Sequence, residues 1–330
     1  EVQTIELFKD ENCIISYYAT KEASFSVSES GIWYIGFYCY SGAWEGNLYI
    51  KQIDITTEAT YPAPINDLKV TAGENGALTA NLSWTNPSTN NMGGELSSLS
   101  GTKIYRDGAL IETLLNTSIG NPVEWTDNNQ IEQPGKYVYK VVPFNEDGDA
   151  LGTPKNVTSP WIGEDTPNAV TDLIATADMQ TVSVDFTPPT KGKNDGWVNT
   201  QELSYKILRN PGNVTLEEAY KGNIPYMDTV NELASYTYTV IPYNQVGQGN
   251  STISNKVVAG TAKDIPYSES FDTSESFDLF TSIDGKGDRN WSYASTEKAA
   301  QYWGGTSPID MWLITPRLNL QTNKNYKLTF

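Results

Sequence analysis

The sequence predicts an all-β protein built on two tandem β-sandwiches, with further sandwich strands on either side. Three observations predict it. A long segment recurs 99 positions later, with Gly135–Asn145 repeated as Ala234–Asn244. Apolar residues inside the repeat alternate with period two, the pattern of strands that bury one face. Clusters of Pro, Asn, Asp and Gly punctuate the strands at short intervals.

The repeat extends well beyond its strongest stretch. Gly148 matches Gly247 at the same offset, and Trp125-Thr126-Asp127 pairs with Tyr226-Met227-Asp228. Further upstream, Lys103-Ile104 pairs with Lys206-Ile207, Leu82-Ser83-Trp84 with Val184-Asp185-Phe186, and Asp67-Leu68 with Asp172-Leu173. The offset drifts from 105 to 99, as it does when loops change length while strands keep their order. A period this long marks tandem domains, because solenoid repeats run to only ~20–50 residues.

Tyr137, Tyr139 and Val141 fall on one face of their strand, as do Tyr236, Tyr238 and Val240. Turn clusters include Pro87–Asn91, Arg106-Asp107-Gly108, Asn145–Gly148 and Pro188-Pro189. No segment carries a capped helical stripe. The domains are expected at 60–164 and 165–263, with seams at Trp161–Pro167 and Ala262–Pro266.

Both repeats resemble fibronectin type III domains. Pro64–Leu68 is similar to the family's first-strand start, and Trp84 to its core Trp, with Phe186 in that role in the second copy. Tyr137 and Tyr236 fit its tyrosine corner, where the ring packs inside and the hydroxyl bonds back to the backbone. The flanks resemble another family, the cleaved-adhesin or choice-of-anchor J (MAM-like) jelly rolls of secreted Bacteroidota proteins. Residues 264–330 follow its front half, through Pro266–Asp272, Ile283–Trp291, Asp310–Pro316 and a strand at Asn325–Phe330. Residues 1–58 follow its back half, through Gly31–Tyr40 and Leu48–Ile55. The resemblance therefore implies two fibronectin type III sandwiches flanked by partial jelly-roll segments. The chain is expected to be an excerpt of a longer array. A circular permutant would instead place residues 32–40 in one sheet with 326–330.

Composition excludes several function classes. In 330 residues, 40 Asp and Glu stand against 22 Lys and Arg, giving a net charge of −18. Nucleic-acid affinity comes largely from Lys and Arg releasing counterions, so nucleic acid is not an expected partner. Anionic membrane surfaces are disfavoured likewise, and no apolar run approaches the ~18 residues that span a bilayer. There is no histidine, which removes Ser-His-Asp and Cys-His machinery and histidine metal sites. Only two cysteines occur, Cys13 and Cys39, too few for a zinc ribbon or an iron–sulfur cluster. They fit a disulfide in an exported protein and equally fit buried thiols. No Gly-rich phosphate loop follows a strand and opens a helix. The carboxylate runs lie in turns or strand edges, where solvated surface charge is the default reading, so a glycosidase pair is not expected.

The jelly-roll resemblance implies calcium as a cofactor. It places Asp284 and Asp288 in the loop before Trp291, with Glu269, Asp272 and Asp310 at other acidic family positions that face the same ion. Hard cations take several such oxygens from turns. Lys286 stands where an acidic residue is expected and repels a cation, so a polar turn without metal is the alternative. Loop aromatics are the second candidate. Trp44, Trp197, Tyr302 and Trp303 sit in turn-like sequence, where an exposed ring stacks on a sugar's apolar face. Their alternative is packing at sandwich ends or between modules.

Together these features point to a non-enzymatic, secreted or cell-surface protein that binds and spaces, an adhesin whose partner is an extracellular glycan or a host or surface protein. An alternative is an ancillary glycan-binding region of a secreted hydrolase or peptidase. A third reading is purely structural, with no ligand of its own.

Overall fold

The computed structural model describes residues 4–9, 12–17, 31–38, 53–55, 59–128, 131–152, 155–286, 290–302 and 310–330. It divides into two compact units, Glu1–Ala59 and Thr60–Phe330.

In the first unit, β1 (Thr4–Lys9), β2 (Asn12–Tyr17) and β3 (Tyr34–Tyr38) form an antiparallel sheet with β1 in the middle. Leu7 lies opposite Ile15 on one side and Ile35 on the other. Ile53–Ile55, expected within a strand, is exposed and irregular, because no described strand runs beside it. The Cys13 side chain and Cys39 lie outside the described residues.

The second unit opens with a sandwich. One sheet orders β4 (Lys69–Ala72), β5 (Ala80–Thr85) and β8 (Pro122–Asp127), with β5 central. The facing sheet runs β10 (Gly148–Asp149), β9 (Val138–Asn145), β6 (Gly101–Arg106) and β7 (Ala109–Leu115), and β11 (Val157–Thr158) also pairs with β9. β6 and β7 meet in a two-residue turn with Asp107 at φ 49° and Gly108 at φ 83°. Positive φ at both central residues matches the right-handed strand twist, and Asp-Gly is the pair that tolerates it.

The fold then repeats. β12 (Thr171–Asp178), β13 (Thr181–Thr187) and β16 (Tyr226–Thr229) form the three-stranded sheet. β15 (Val214–Tyr220), β14 (Ser204–Asn210), β17 (Ala234–Tyr243) and β18 (Thr252–Ile253) form the facing one, with β19 (Val257–Ala259) also on β17. Each module has its own core drawn from both sheets. Leu68, Leu82, Trp84, Ile104 and Val141 meet in the first. Their repeat equivalents Leu173, Val184, Phe186, Ile207 and Val240 meet in the second.

The exchange of Trp84 for Phe186 has a visible reason. A buried indole N–H needs an acceptor, and Trp84 Nε1 donates to Asn86 Oδ1 at 3.1 Å. In the second copy the position matching Asn86 is Pro188, and a phenyl ring needs no such partner. Phe186 instead meets Tyr205 edge-on, with centroids 4.9 Å apart. The tyrosine corners are formed in both modules. Tyr137 donates to the Gln133 carbonyl at 2.6 Å, and Tyr236 to the Glu232 carbonyl at 2.7 Å.

Beyond β19 the chain forms two short ribbons. β20 (Thr281–Lys286) pairs with β23 (Asp310–Ile314), and β21 (Ser292–Ala294) with β22 (Ala299–Gln301). One helical turn, α1 (Ser274–Phe277), precedes them, too short to show as a stripe in the sequence. Thr273 Oγ1 caps it by accepting from the Ser276 amide at 3.3 Å. Asn325–Phe330, expected as a strand, is irregular and exposed. Alternating residues make a strand only where a partner supplies the ladder, and no described strand lies beside these.

Candidate binding loops and the module seam

The most perturbed ionisable groups of the two modules lie inside them. Arg106 Nη1 reaches Asp127 Oδ2 at 2.7 Å, and the Tyr139 hydroxyl donates to the same oxygen at 2.7 Å. Arg209, Asp228 and Tyr238 repeat this constellation with both distances at 2.8 Å. Tyr139, Tyr238 and Asp127 are fully buried. Burial first, and then the adjacent carboxylate, push both tyrosine hydroxyls far above their ordinary range. Burial lowers the two guanidiniums, but the hydrogen bond and charge of Asp127 or Asp228 outweigh it and leave them raised. Such a triad holds its protons fixed. It ties one sheet to the other.

The carboxylates expected to take calcium are spread along the last segment. Glu269 accepts from the Phe271 amide at 2.7 Å and from the Tyr267 hydroxyl at 3.3 Å. Burial, followed by the Glu269 charge, pushes that hydroxyl up to about 12. Asp272 accepts from Ser270 Oγ at 2.7 Å, and Lys298 Nζ stands 3.9 Å from its other oxygen. Asp284 lies on β20 opposite Met311, and Asp310 starts β23 opposite Lys286. The Asp284 side chain and Asp288 lie outside the described residues. Among the described residues, no three Asp, Glu or Cys side chains converge as metal ligands.

Of the loop aromatics, Trp44 and Trp303 lie outside the described residues. Tyr302 is half-buried, its ring 5.7 Å from that of Trp291. Its hydroxyl and the Trp291 indole N–H are both sealed from solvent without a hydrogen-bond partner. Trp197 is 37% exposed. The rest of it packs on the first module, since a Cβ on Gly76 would lie 2.5 Å from its ring. Trp197 and Tyr302 thus belong to different segments.

Sequence reasoning names the seam at Trp161–Pro167 but misses what fills it. Asp165 is fully buried. Its carboxylate accepts from the Asn194 amide at 2.7 Å, Asn194 Nδ2 at 3.0 Å and the Gly196 amide at 3.2 Å. Asn244 Nδ2 donates to the Asp165 carbonyl at 2.9 Å, and Asn145 Nδ2 does the same to Thr60 at 2.8 Å. The signal for this was the recurrence of Asn at the end of the repeated strand. A buried polar side chain at a strand end is kept for the backbone group it satisfies.

An open groove of about 540 Å³ lies between β12, β19 and α1. Ala175, Val257, Phe277 and Phe280 line it, and the Lys256–Asp278 ion pair crosses it. Among the described residues, none of those expected at a site lines it.

No family model and no curated protein matches the chain. Among solved structures it is similar to the FN1–FN3 domains of chicken CNTN1, at 17% identity and a TM-score of 0.27. That match covers 63% of this chain and 70% of the other.

Proposed function

We propose that the chain is a non-catalytic binding and spacing region of a secreted or cell-surface protein. Two fibronectin type III modules, at 60–164 and 165–263, space jelly-roll segments at 1–58 and 264–330 that carry the recognition. The observation that carries this reading is the paired Arg–Asp–Tyr triads. Catalysis needs perturbed groups that open onto a cleft. Here the most perturbed groups are duplicated, buried and spent on joining sheets.

The glycan reading rests on the loop aromatics Trp44, Trp197, Tyr302 and Trp303. Calcium at Glu269, Asp272, Asp284, Asp288 and Asp310 belongs to the same reading. Such a region serves equally in an adhesin or beside the catalytic domain of a hydrolase or peptidase. Among the described residues, no helix is long and apolar enough to cross a membrane.

The whole chain, offered to a glycan array, to immobilised extracellular proteins and to panels of glycoside, ester and peptide substrates, tests the proposal. Capture without turnover is expected. Turnover of any substrate by the purified chain overturns it.

A further inference from the structure

The segment between β11 and β12 has its backbone bonded first to one module and then to the other. The Ser159 amide donates to the Tyr137 carbonyl at 2.8 Å, and Ile162 exchanges both backbone bonds with Gly135 at 2.9 Å. From Asp165 onward the partners belong to the second module. The Asp165 amide donates to the Trp197 carbonyl at 2.8 Å, and the Asn168 amide to the Lys191 carbonyl at 3.1 Å. The change of side falls at Gly163, where φ is +87°. A Cβ there would also lie 2.7 Å from Leu78 and 2.9 Å from Pro134, so only glycine fits.

Asp165 then closes the loop that follows. A Cβ on Gly192 or Gly196 would lie 2.3 Å or 2.7 Å from the Asp165 Cβ, so the loop wraps the buried carboxylate tightly. That loop leads straight into Trp197, whose ring rests on Gly76 of the first module. Glu164 adds a second tie, accepting from Asn244 Nδ2 at 2.9 Å and Gln245 Nε2 at 2.8 Å.

Modules joined by a solvated linker move independently unless a substantial interface stops them. Local opening is favoured where backbone bonds go to water and few side chains pack. The seam has neither property. We infer that it is a stiff joint, in which Asp165 positions Trp197 against Gly76 so that the two modules turn as one body. Asp165 and Trp197 are positioning residues for the angle between the modules, and this holds whatever ligand the chain binds.

Residual dipolar couplings on the whole, isotope-labelled chain test it. Couplings from residues 60–158 and 171–259 are expected to fit one alignment tensor. In Trp197→Ala and Asp165→Ala each module should still fit a tensor of its own, while the common tensor is lost. Gly76→Ala strikes the same contact from the first module, so unfolding of the second module in one variant leaves the question answerable. A wild-type chain that needs two tensors overturns the joint. Variants that fold and keep one tensor overturn the role of the Trp197 contact.

Discussion

Trp84 and Asn86 form a hydrogen bond inside the first core, indole N–H to side-chain oxygen, at 3.1 Å. Asn86 also donates from Nδ2 to the Ser118 carbonyl at 2.9 Å, so one side chain serves the buried indole and a loop carbonyl. Asn86→Leu leaves the buried indole N–H without a partner and should cost about 1–3 kcal/mol, the penalty of an unsatisfied buried group. Adding Trp84→Phe removes the orphaned donor, as Phe186 does in the second module, and should recover part of the loss. Urea unfolding of the wild type and the two variants checks both steps.

Asp127→Asn and Asp228→Asn each remove the charge that pairs with Arg106 or Arg209 across the two sheets. Each carboxylate is buried but each guanidinium is partly exposed, so the cost should fall below the about 3–5 kcal/mol of a fully buried pair. The two sites share no partner, so each effect should stay in its own module, and hydrogen exchange resolved by residue should show protection falling in one sandwich only.

Alkaline pH should destabilise both modules. The folded-state pKa of Tyr139 and Tyr238 is raised, and that of Tyr205 is pushed to about 12 by burial alone. A raised tyrosine pKa means that the folded state holds its proton after the unfolded state has lost it. Stability is therefore full below the ordinary tyrosine pKa of 10.0 and falls as pH rises beyond it. The slope is about 1.4 kcal/mol per pH unit for each such tyrosine. Melting midpoints between pH 8 and pH 12, read beside tyrosinate absorbance, test this.

The calcium reading predicts a melting midpoint for the last segment that rises with added calcium and falls in chelator, by the mass action of a ligand that binds only the folded state. Asp284→Ala and Glu269→Ala should remove the response. Equal midpoints with and without chelator would exclude the ion.

Tyr302→Phe should separate stability from binding. Removing a buried hydroxyl that has no partner should stabilise the fold by about 1 kcal/mol. If that hydroxyl contacts a sugar, the same change weakens capture on the glycan array. A variant that is more stable and binds as before leaves Tyr302 a packing residue.

The sequence made the modules legible because their strands are repeated and alternate, and because Tyr137 and Tyr236 recur at one place in the repeat. Leu82 with Val184 and Ile104 with Ile207 are visible by the same logic, each a core position marked twice. The seam was only half legible. Asp165 sits in a stretch that reads as a linker, and its burial depends on how the following loop folds round it. The contact of Trp197 with Gly76 joins residues from different modules, which neither periodicity nor spacing encodes. Asn325–Phe330 shows the reverse failure. Its alternation is that of a strand, yet pairing is a property of two segments and a pattern is a property of one.

The alternate bonding of the segment from Ser159 to Asn168 also bears on how the chain carries mechanical load. A pull along the polypeptide enters the seam through backbone that is laddered to Gly135 on one side and to Trp197 on the other. Straightening the seam then requires breaking these backbone bonds, whereas a free linker would simply extend. The bonds inferred to fix an angle at rest are thus also bonds that extension has to break.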